Sequence, residues 1–265
     1  RAYRSSRGLG DVYKRQGRTH FQDAVPISLG QEVSAWSKQL KDAEDALIIS
    51  LDELCFLPLG GTAVGTGINC PKDFSEESIK SISDYTDLFF YKSQNHFSLM
   101  ASHDRLAQVM GQIKILASAL FKISNDIKIL SSGPRSGIYE LIIPQNEPGS
   151  SIMPGKVNPT QCEALSMVCT QVMGFEYAVS IANASGTLQM NEYKPLIGFN
   201  ILTSIKLLNH AISNFRLKLV EGIQPNPKTI KTNLENSLML VTALVPKIGY
   251  EKAAEIANLA FNESI

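Results

Sequence analysis

The chain has 265 residues, of which 44% are hydrophobic and 19% charged, so it is long enough and apolar enough to form one large or two modest domains with a buried core. Its formal net charge at pH 7 is zero, so no global field predicts binding to nucleic acid or to an anionic membrane surface. We see no apolar run of the roughly 18 residues that a membrane span needs, so we expect no membrane partner.

The first sixteen residues, RAYRSSRGLGDVYKRQ, differ from the rest of the chain. They carry five basic residues and one acid, and their apolar residues show no regular period. We interpret residues 1–16 as a non-native or disordered extension and exclude them from the fold prediction.

Four long stretches of the remaining chain repeat apolar residues at spacings of three and four, which is typical of helices with one buried face. Their apolar positions are Leu29, Val33, Trp36, Leu40, Ala43 and Leu47; Leu106, Val109, Met110, Ile113, Leu116, Leu120 and Ile127; Leu165, Val168, Val172, Phe175 and Ala178; and Leu202, Ile205, Leu208, Ile212, Phe215 and Leu219. A helix of about 20 residues is about 30 Å long. The pattern therefore predicts an all-α fold, a bundle of long helices.

A glycine-rich segment, LPLGGTAVGTGINCP, occupies residues 57–71. A phosphate-binding glycine loop lies between a strand and a helix, and no strand pattern precedes this segment, so we do not expect a nucleotide site. The four cysteines include no CxxC pair and do not cluster with the four histidines at ligand spacing. We therefore expect reduced thiols, a cytoplasm-like compartment and no metal site.

The segment EPGSSIMPGKVNPTQCEAL, residues 147–165, ends in a predicted helix start. Asn158 is a favourable N-cap and Pro159 suits the first helical position, so we expect the helix to begin at about residue 159. The free N–H groups of a helix N-terminus bind anions, and Lys156 adds a full positive charge beside them. The pattern predicts a site for a carboxylate or a phosphate.

The beginning of the same loop carries two hydroxyl groups, Ser150 and Ser151, next to Gly149. Backbone N–H groups aimed at a serine oxygen, together with a nearby ammonium group, would stabilise an alkoxide and make it a usable base. The alternative is a surface loop whose serines cap turns.

A second candidate site is GRTHFQDAVPISLGQE, residues 17–32, where Thr19 and His20 are predicted to lie in a connecting loop. A single histidine is more often structural than catalytic. Glu163 lies about one turn into the helix that follows the serine loop, and a carboxylate that meets His20 would raise its basicity and fix its tautomer. The sequence alone does not show that these two residues meet.

The segment GSSIMPGKVNP, residues 149–159, resembles the signature loop of the fumarase/aspartase superfamily. Six further blocks resemble those of class II fumarate hydratases specifically, and the resemblance runs from Gly17 to the C-terminus. These blocks are GRTH, QDAVP, LGQE, LPLGGTAVGTGIN, SGPRSG and TQCEALSMVCTQVMG.

The resemblance implies a role for each matching residue. Ser150 matches the base that removes the C3 proton of malate, His20 the second catalytic residue, and Glu163 the carboxylate that pairs with it. The substrate-binding positions of the family match Thr19, Ser151, Lys156, Val157 and Asn158.

The resemblance also implies an activity: reversible addition of water to fumarate, giving (S)-malate, in the tricarboxylic acid cycle, without a metal or organic cofactor. It implies an all-α homotetramer in which three subunits form each active site, in the cytoplasm or in the mitochondrial matrix of a eukaryote. Residues 17–222 would form the central helical-bundle domain and residues 223–265 the start of a small C-terminal helical domain. The family's N-terminal domain has no counterpart here, so we expect a fragment with little activity alone.

Three other functions remain open at the level of sequence. Aspartate ammonia-lyase shares the scaffold, although its loop tends to read PAKVNP and it often has glutamine at the position of His20. A serine hydrolase built on Ser150, His20 and Asp23 is disfavoured because no GxSxG motif follows a strand. An inactive helical assembly protein is the third possibility, and the retained polar residues argue against it.

Overall fold

The computed structural model describes residues 13–263 and places most of them in α-helices, which confirms the predicted all-α class. In chain order, the helices are α1 (Leu29–Asp52), α2 (Phe74–Thr86), α3 (His96–Ala101), α4 (Asp104–Leu130), α5 (Thr160–Ala184), α6 (Lys194–Lys218), α7 (Pro227–Glu235), α8 (Val245–Ile248) and α9 (Tyr250–Glu263). Short 3-10 helices cover Glu53–Cys55, Val220–Gly222 and Leu238–Leu244.

The four predicted helical stretches correspond to the long helices α1, α4, α5 and α6. In the first three, part of each predicted apolar stripe is buried, because a helix turns its residues at spacings of three and four onto one face. Helix α5 also buries Cys162, Cys169, Val179 and Ala182, which lie outside its predicted stripe. The buried members are Leu29, Trp36 and Ala43 in α1; Val109, Met110, Ile113, Leu120 and Ile127 in α4; and Leu165 and Val172 in α5.

The predicted stripe of α6 is wrong over its first half. Leu202 is 70% exposed and Ile205 is 49% exposed, whereas Ile197, Ile201 and Leu208 are buried. Helix α6 has apolar residues on more than one face, so spacing alone selected the wrong face. The exposed face remains available for another protein surface.

Within residues 13–263, three small two-stranded ladders accompany the helices. The strands are β1 (Lys14–Thr19), β2 (Gln22–Ser28), β3 (Phe56–Leu57), β4 (Tyr91–Lys92), β5 (Leu141–Ile142) and β6 (Gln224–Pro225). The β1–β2 and β5–β6 pairs are antiparallel and the β3–β4 pair is parallel. No apolar alternation in the sequence predicted these strands. Strand β3 overlaps the first residue of the glycine-rich segment at Leu57, but it has only two residues and the next helix begins only at Phe74.

The predicted extension at residues 1–16 is not disordered at its C-terminal end. Strand β1 starts at Lys14, and both Arg15 and Gln16 are buried. Residues 1–12 lie outside the described part of the chain. The interpretation of residues 1–16 as a non-native extension stays a prediction.

The chain divides into two compact units. Within the described residues, the first unit contains 13–39, 126–159 and 218–263, and the second contains 40–125 and 160–217. In the first unit, α7 packs against β1, and α9 packs against the 3-10 helix Leu238–Leu244. The predicted domains, 17–222 and 223–265, stay a prediction.

Helices α4 and α5 are long and apolar enough to cross a membrane, with a mean hydropathy of 1.3 in their most apolar windows. Both helices reach this mean hydropathy although polar residues such as serine and glutamine interrupt their apolar residues, so the expectation that no uninterrupted apolar run spans a membrane is not contradicted. Helices in the core of a soluble protein meet the same criterion. Length and composition alone do not identify either helix as a membrane span.

All four cysteines are free thiols, and Cys169 in α5 is fully buried. Burial raises the pKa of the Cys169 thiol to about 11, because the apolar surroundings disfavour the thiolate. Thiolate is the nucleophile, so iodoacetamide at pH 8 should label the partly exposed Cys55 in the folded protein and leave Cys169 unmodified until denaturant is added. Mass spectrometry of tryptic peptides measures this, and equal labelling of both cysteines before unfolding would contradict it.

Candidate active site

The hydroxyl oxygen of Ser150 accepts two backbone hydrogen bonds within the serine loop, residues 147–159. The N–H of Ile152 donates to it over 3.3 Å and the N–H of Met153 over 3.1 Å. Hydrogen bonds from backbone N–H groups favour a negatively charged oxygen over a neutral one. Two backbone donors of the predicted environment are therefore present at Ser150. Because N–H groups two and three residues ahead also fit a serine that caps a turn, the activated serine stays a prediction.

Glycine is required at the start of this loop. Gly149 has φ +88, and a Cβ atom there would lie 2.7 Å from the carbonyl oxygen of Lys156. Because L-residues rarely adopt this φ and the backbone atom cannot move aside, the close approach of the two ends of the loop depends on glycine. The closure holds Ser150 and Lys156 in one short loop.

The end of the loop leads directly into α5, which begins at Thr160, one residue after the predicted start. Four of the five predicted binding residues lie in this loop and are exposed: Ser151, Lys156, Val157 and Asn158. They are therefore available to a ligand in the loop that precedes the helix N-terminus.

The structure places Thr19 and His20 at the end of a β-hairpin rather than in an irregular loop. Thr19 is the last residue of β1 and pairs with Gln22, so His20 and Phe21 form a two-residue turn. Their φ angles are +55 and +60, a combination that hairpin turns usually fill with Asn-Gly or Asp-Gly. Holding two non-glycine residues there costs about 1–2 kcal/mol each, so the rest of the structure must fix the turn.

A polar cluster around Glu140 adjoins the hairpin through Arg18, and no sequence pattern predicted it. The carboxylate of Glu140 is fully buried and accepts hydrogen bonds from Arg18 over 2.9 Å and from Asn233 over 3.1 Å at the same oxygen. Arg15 donates to the other oxygen over 2.6 Å. These partners are far apart in the sequence, so no local pattern predicts the cluster.

A cavity of about 250 Å³ opens beside the hairpin turn. His20, Phe21 and Arg18 line it on the hairpin side, and Asp126 and Ile138 are among the residues on the other side. The predicted catalytic residue His20 is therefore part of the lining of this cavity.

The structure brings the predicted residues together in two groups. Ser150 shares the serine loop with the four exposed binding residues, and Thr19 shares the hairpin end with His20. Glu163 is exposed near the start of α5, in the second compact unit, whereas His20 belongs to the first. The pairing of His20 with Glu163 therefore stays a prediction.

Comparison with known proteins gives matches along most of the chain. The sequence model of a lyase family, described as "Lyase", matches residues 11–174, and that of the fumarase C C-terminus matches residues 240–265. A class II fumarate hydratase from Prochlorococcus marinus subsp. pastoris is 97% identical over 249 residues, which cover 94% of this chain and 54% of that protein. The Listeria monocytogenes serotype 4b protein of the same name is 52% identical over 248 residues, covering 94% of this chain and 54% of the relative.

Solved structures show the same similarity. A class II fumarase from Schistosoma mansoni superimposes with a TM-score of 0.96 at 43% identity, covering 99% of this chain and 58% of that one. A fumarate lyase:delta crystallin from Brucella melitensis, bound to cobalt, gives a TM-score of 0.94 at 40% identity, covering 99% of this chain and 57% of that one. The chain spans about half the length of the curated relatives it matches.

Proposed function

This chain belongs to the lyase family, among the class II fumarate hydratases, and from that premise we propose that it is part of an enzyme that reversibly hydrates fumarate to (S)-malate. The proposed place of this reaction is the tricarboxylic acid cycle. Support for the activity comes from the names and identities of the relatives and from the geometry of the serine loop.

The single observation that carries the proposal is the pair of backbone hydrogen bonds to the Ser150 hydroxyl oxygen, from Ile152 and Met153. A serine hydroxyl is a poor base in water. Two fixed donors lower the cost of its alkoxide, which can then take the C3 proton of malate. Ser150 is therefore the proposed catalytic base.

Removal of that proton leaves a dianionic aci-carboxylate, and its charge needs stabilisation. Lys156 supplies a full positive charge in the same loop, and Asn158 supplies an amide donor. The N-terminus of α5, which follows the loop directly in the chain, adds a partial positive charge. Fixed charges and dipoles of this kind often contribute the largest part of catalysis.

The remaining site residues have roles in substrate binding and in proton transfer to the hydroxyl group. We assign His20, paired with Glu163, to the proton on the departing hydroxyl, directly or through a water molecule. The proposed substrate contacts are Thr19, Ser151, Lys156, Val157 and Asn158.

The proposed assembly is a homotetramer in which three subunits contribute to each active site. Large apolar side chains are exposed along α5 and α6, which is unfavourable unless another surface covers them. These include Met167, Tyr177, Ile181, Phe199, Leu202 and Ile205. The proposed location is the cytoplasm, or the mitochondrial matrix in a eukaryote, without a nucleic-acid or membrane partner.

Activity assays test the proposal in a completed enzyme, in which residues 17–265 are joined to the remaining sequence of the Prochlorococcus relative. We expect the completed enzyme to convert (S)-malate to fumarate, measured as ultraviolet absorbance of fumarate. The 265-residue chain alone should show little or no turnover, because the matched relatives are nearly twice as long.

A parallel assay with L-aspartate separates this proposal from aspartate ammonia-lyase activity. Ammonia release without malate dehydration would identify aspartate ammonia-lyase as the activity. The absence of both reactions would favour an inactive helical assembly protein. Turnover by the isolated chain at the rate of the completed enzyme would contradict the expected need for the rest of the protein.

A further inference from the structure

The β1–β2 hairpin, whose turn carries His20, is connected to the buried carboxylate of Glu140 through Arg18. Arg18 lies two residues before His20 on β1, and both side chains line the same cavity of about 250 Å³. The guanidinium of Arg18 donates to Glu140 over 2.9 Å, and this carboxylate is fully buried. The ion pair therefore ties the end of β1 to the segment that follows α4.

The same carboxylate also connects to helix α7. The side-chain amide of Asn233 donates to Glu140 over 3.1 Å and to the carbonyl oxygen of Ile138 over 3.2 Å. A buried carboxylate with several fixed donors is held in one orientation, because any other orientation leaves a charged group unpaired. Arg18 is thus anchored at a fixed point although it lies near a hairpin end.

The turn itself requires such an anchor. His20 and Phe21 both adopt positive φ angles of +55 and +60 without being glycine. Strained turns of this kind persist at functional sites where the surrounding contacts determine them. The ion pair between Arg18 and the fully buried Glu140 lies two residues before this turn.

We propose that Glu140 is a positioning residue for His20, acting through Arg18, an inference that rests on the proposed fumarate hydration. Glu140 does not contact the substrate. It fixes Arg18, and Arg18 fixes the hairpin end, so that the imidazole of His20 stays where proton transfer needs it. Arg15 also contacts Glu140, but the proposal does not depend on it, because Arg15 lies in the segment interpreted as non-native.

The test uses Glu140→Gln in the completed enzyme, which keeps the shape of the side chain and removes its charge. A catalytic group displaced by about 1 Å loses about 100-fold in rate, so we expect kcat to fall about 10- to 100-fold while KM for malate changes less than about threefold. Glu176→Gln is the matched control, because Glu176 forms an ion pair with Lys114 over 3.0 Å in the other unit. It should leave kcat unchanged.

A double variant separates positioning from a general structural role. If Glu140 acts only through His20, adding Glu140→Gln to His20→Asn should lower kcat no further. Equal fractional losses with and without His20 would overturn the proposal. So would a wild-type kcat in Glu140→Gln.

Arg18→Lys decides the question if Glu140→Gln does not fold. Lysine keeps the charge and lacks the planar fork of arginine, so we expect a smaller fall in kcat that again vanishes in the His20→Asn background. A wild-type kcat for Arg18→Lys would overturn the proposal. Loss of malate dehydration in the unsubstituted completed enzyme would instead refute the proposed function, which keeps the two failures distinct.

Discussion

Replacing Ser150 by alanine in the completed enzyme should lower kcat for malate dehydration by about 10²- to 10⁴-fold, the range typical of a lost general base. The substitution removes the oxygen that accepts the N–H groups of Ile152 and Met153. The rest of the loop remains, so the affinity for malate should change much less than kcat. Steady-state kinetics and isothermal titration of malate measure the two quantities.

Ser34→Ala is the control for this substitution. Ser34 is an exposed serine of α1 whose hydroxyl donates to the backbone of Gln31 over 2.7 Å. Its removal should change neither kcat nor KM. An undiminished kcat in Ser150→Ala would remove Ser150 from the mechanism.

Replacing Lys156 by methionine should lower kcat by about 10²- to 10³-fold, the loss typical when one stabilising group for a developing negative charge is removed. Methionine keeps the length and the apolar part of the side chain, so the loss reports the charge. The KM for malate should rise as well, because the same ammonium group also attracts the ground-state dicarboxylate.

Lys156→Arg is the matched comparison. It keeps the positive charge with a different hydrogen-bonding geometry, so its kcat should lie between those of the wild type and of Lys156→Met. If kcat in Lys156→Met stayed within about threefold of wild type while KM rose, Lys156 would bind substrate without preferential stabilisation of the transition state.

The long helices were predictable because their apolar residues recur with a helical period. The buried face of α6 was not predictable, because the exposed Leu202 and Ile205 recur with the helical period as well as the buried Ile201 and Leu208 do. The β1–β2 hairpin was missed for a different reason. Strand β1 buries the polar Arg15 and Gln16, β2 is largely exposed and includes Pro26, and their pairing contains a register shift, so the two strands lack the apolar alternation that marks a strand.

One part of the candidate site was predictable from the sequence and another was not. The serine loop was predictable from glycines and prolines that act within a few residues of one another, and its hydrogen bonds to Ser150 follow from that local chemistry. The capping role of Asn158 stays a prediction. The contacts of Glu140 with Arg18 and Asn233 were not predictable. Glu140 lies 122 residues from Arg18 and 93 from Asn233, so only the fold brings them together.

Exchange of the C3 hydrogen of (S)-malate with D2O, followed by NMR, tests the central claim most directly, because it reports removal of that proton by the enzyme. The completed enzyme should catalyse the exchange, and the Ser150→Ala variant should bind malate without exchange above the rate in buffer alone. Exchange by Ser150→Ala at the wild-type rate would contradict the assignment of Ser150 as the base.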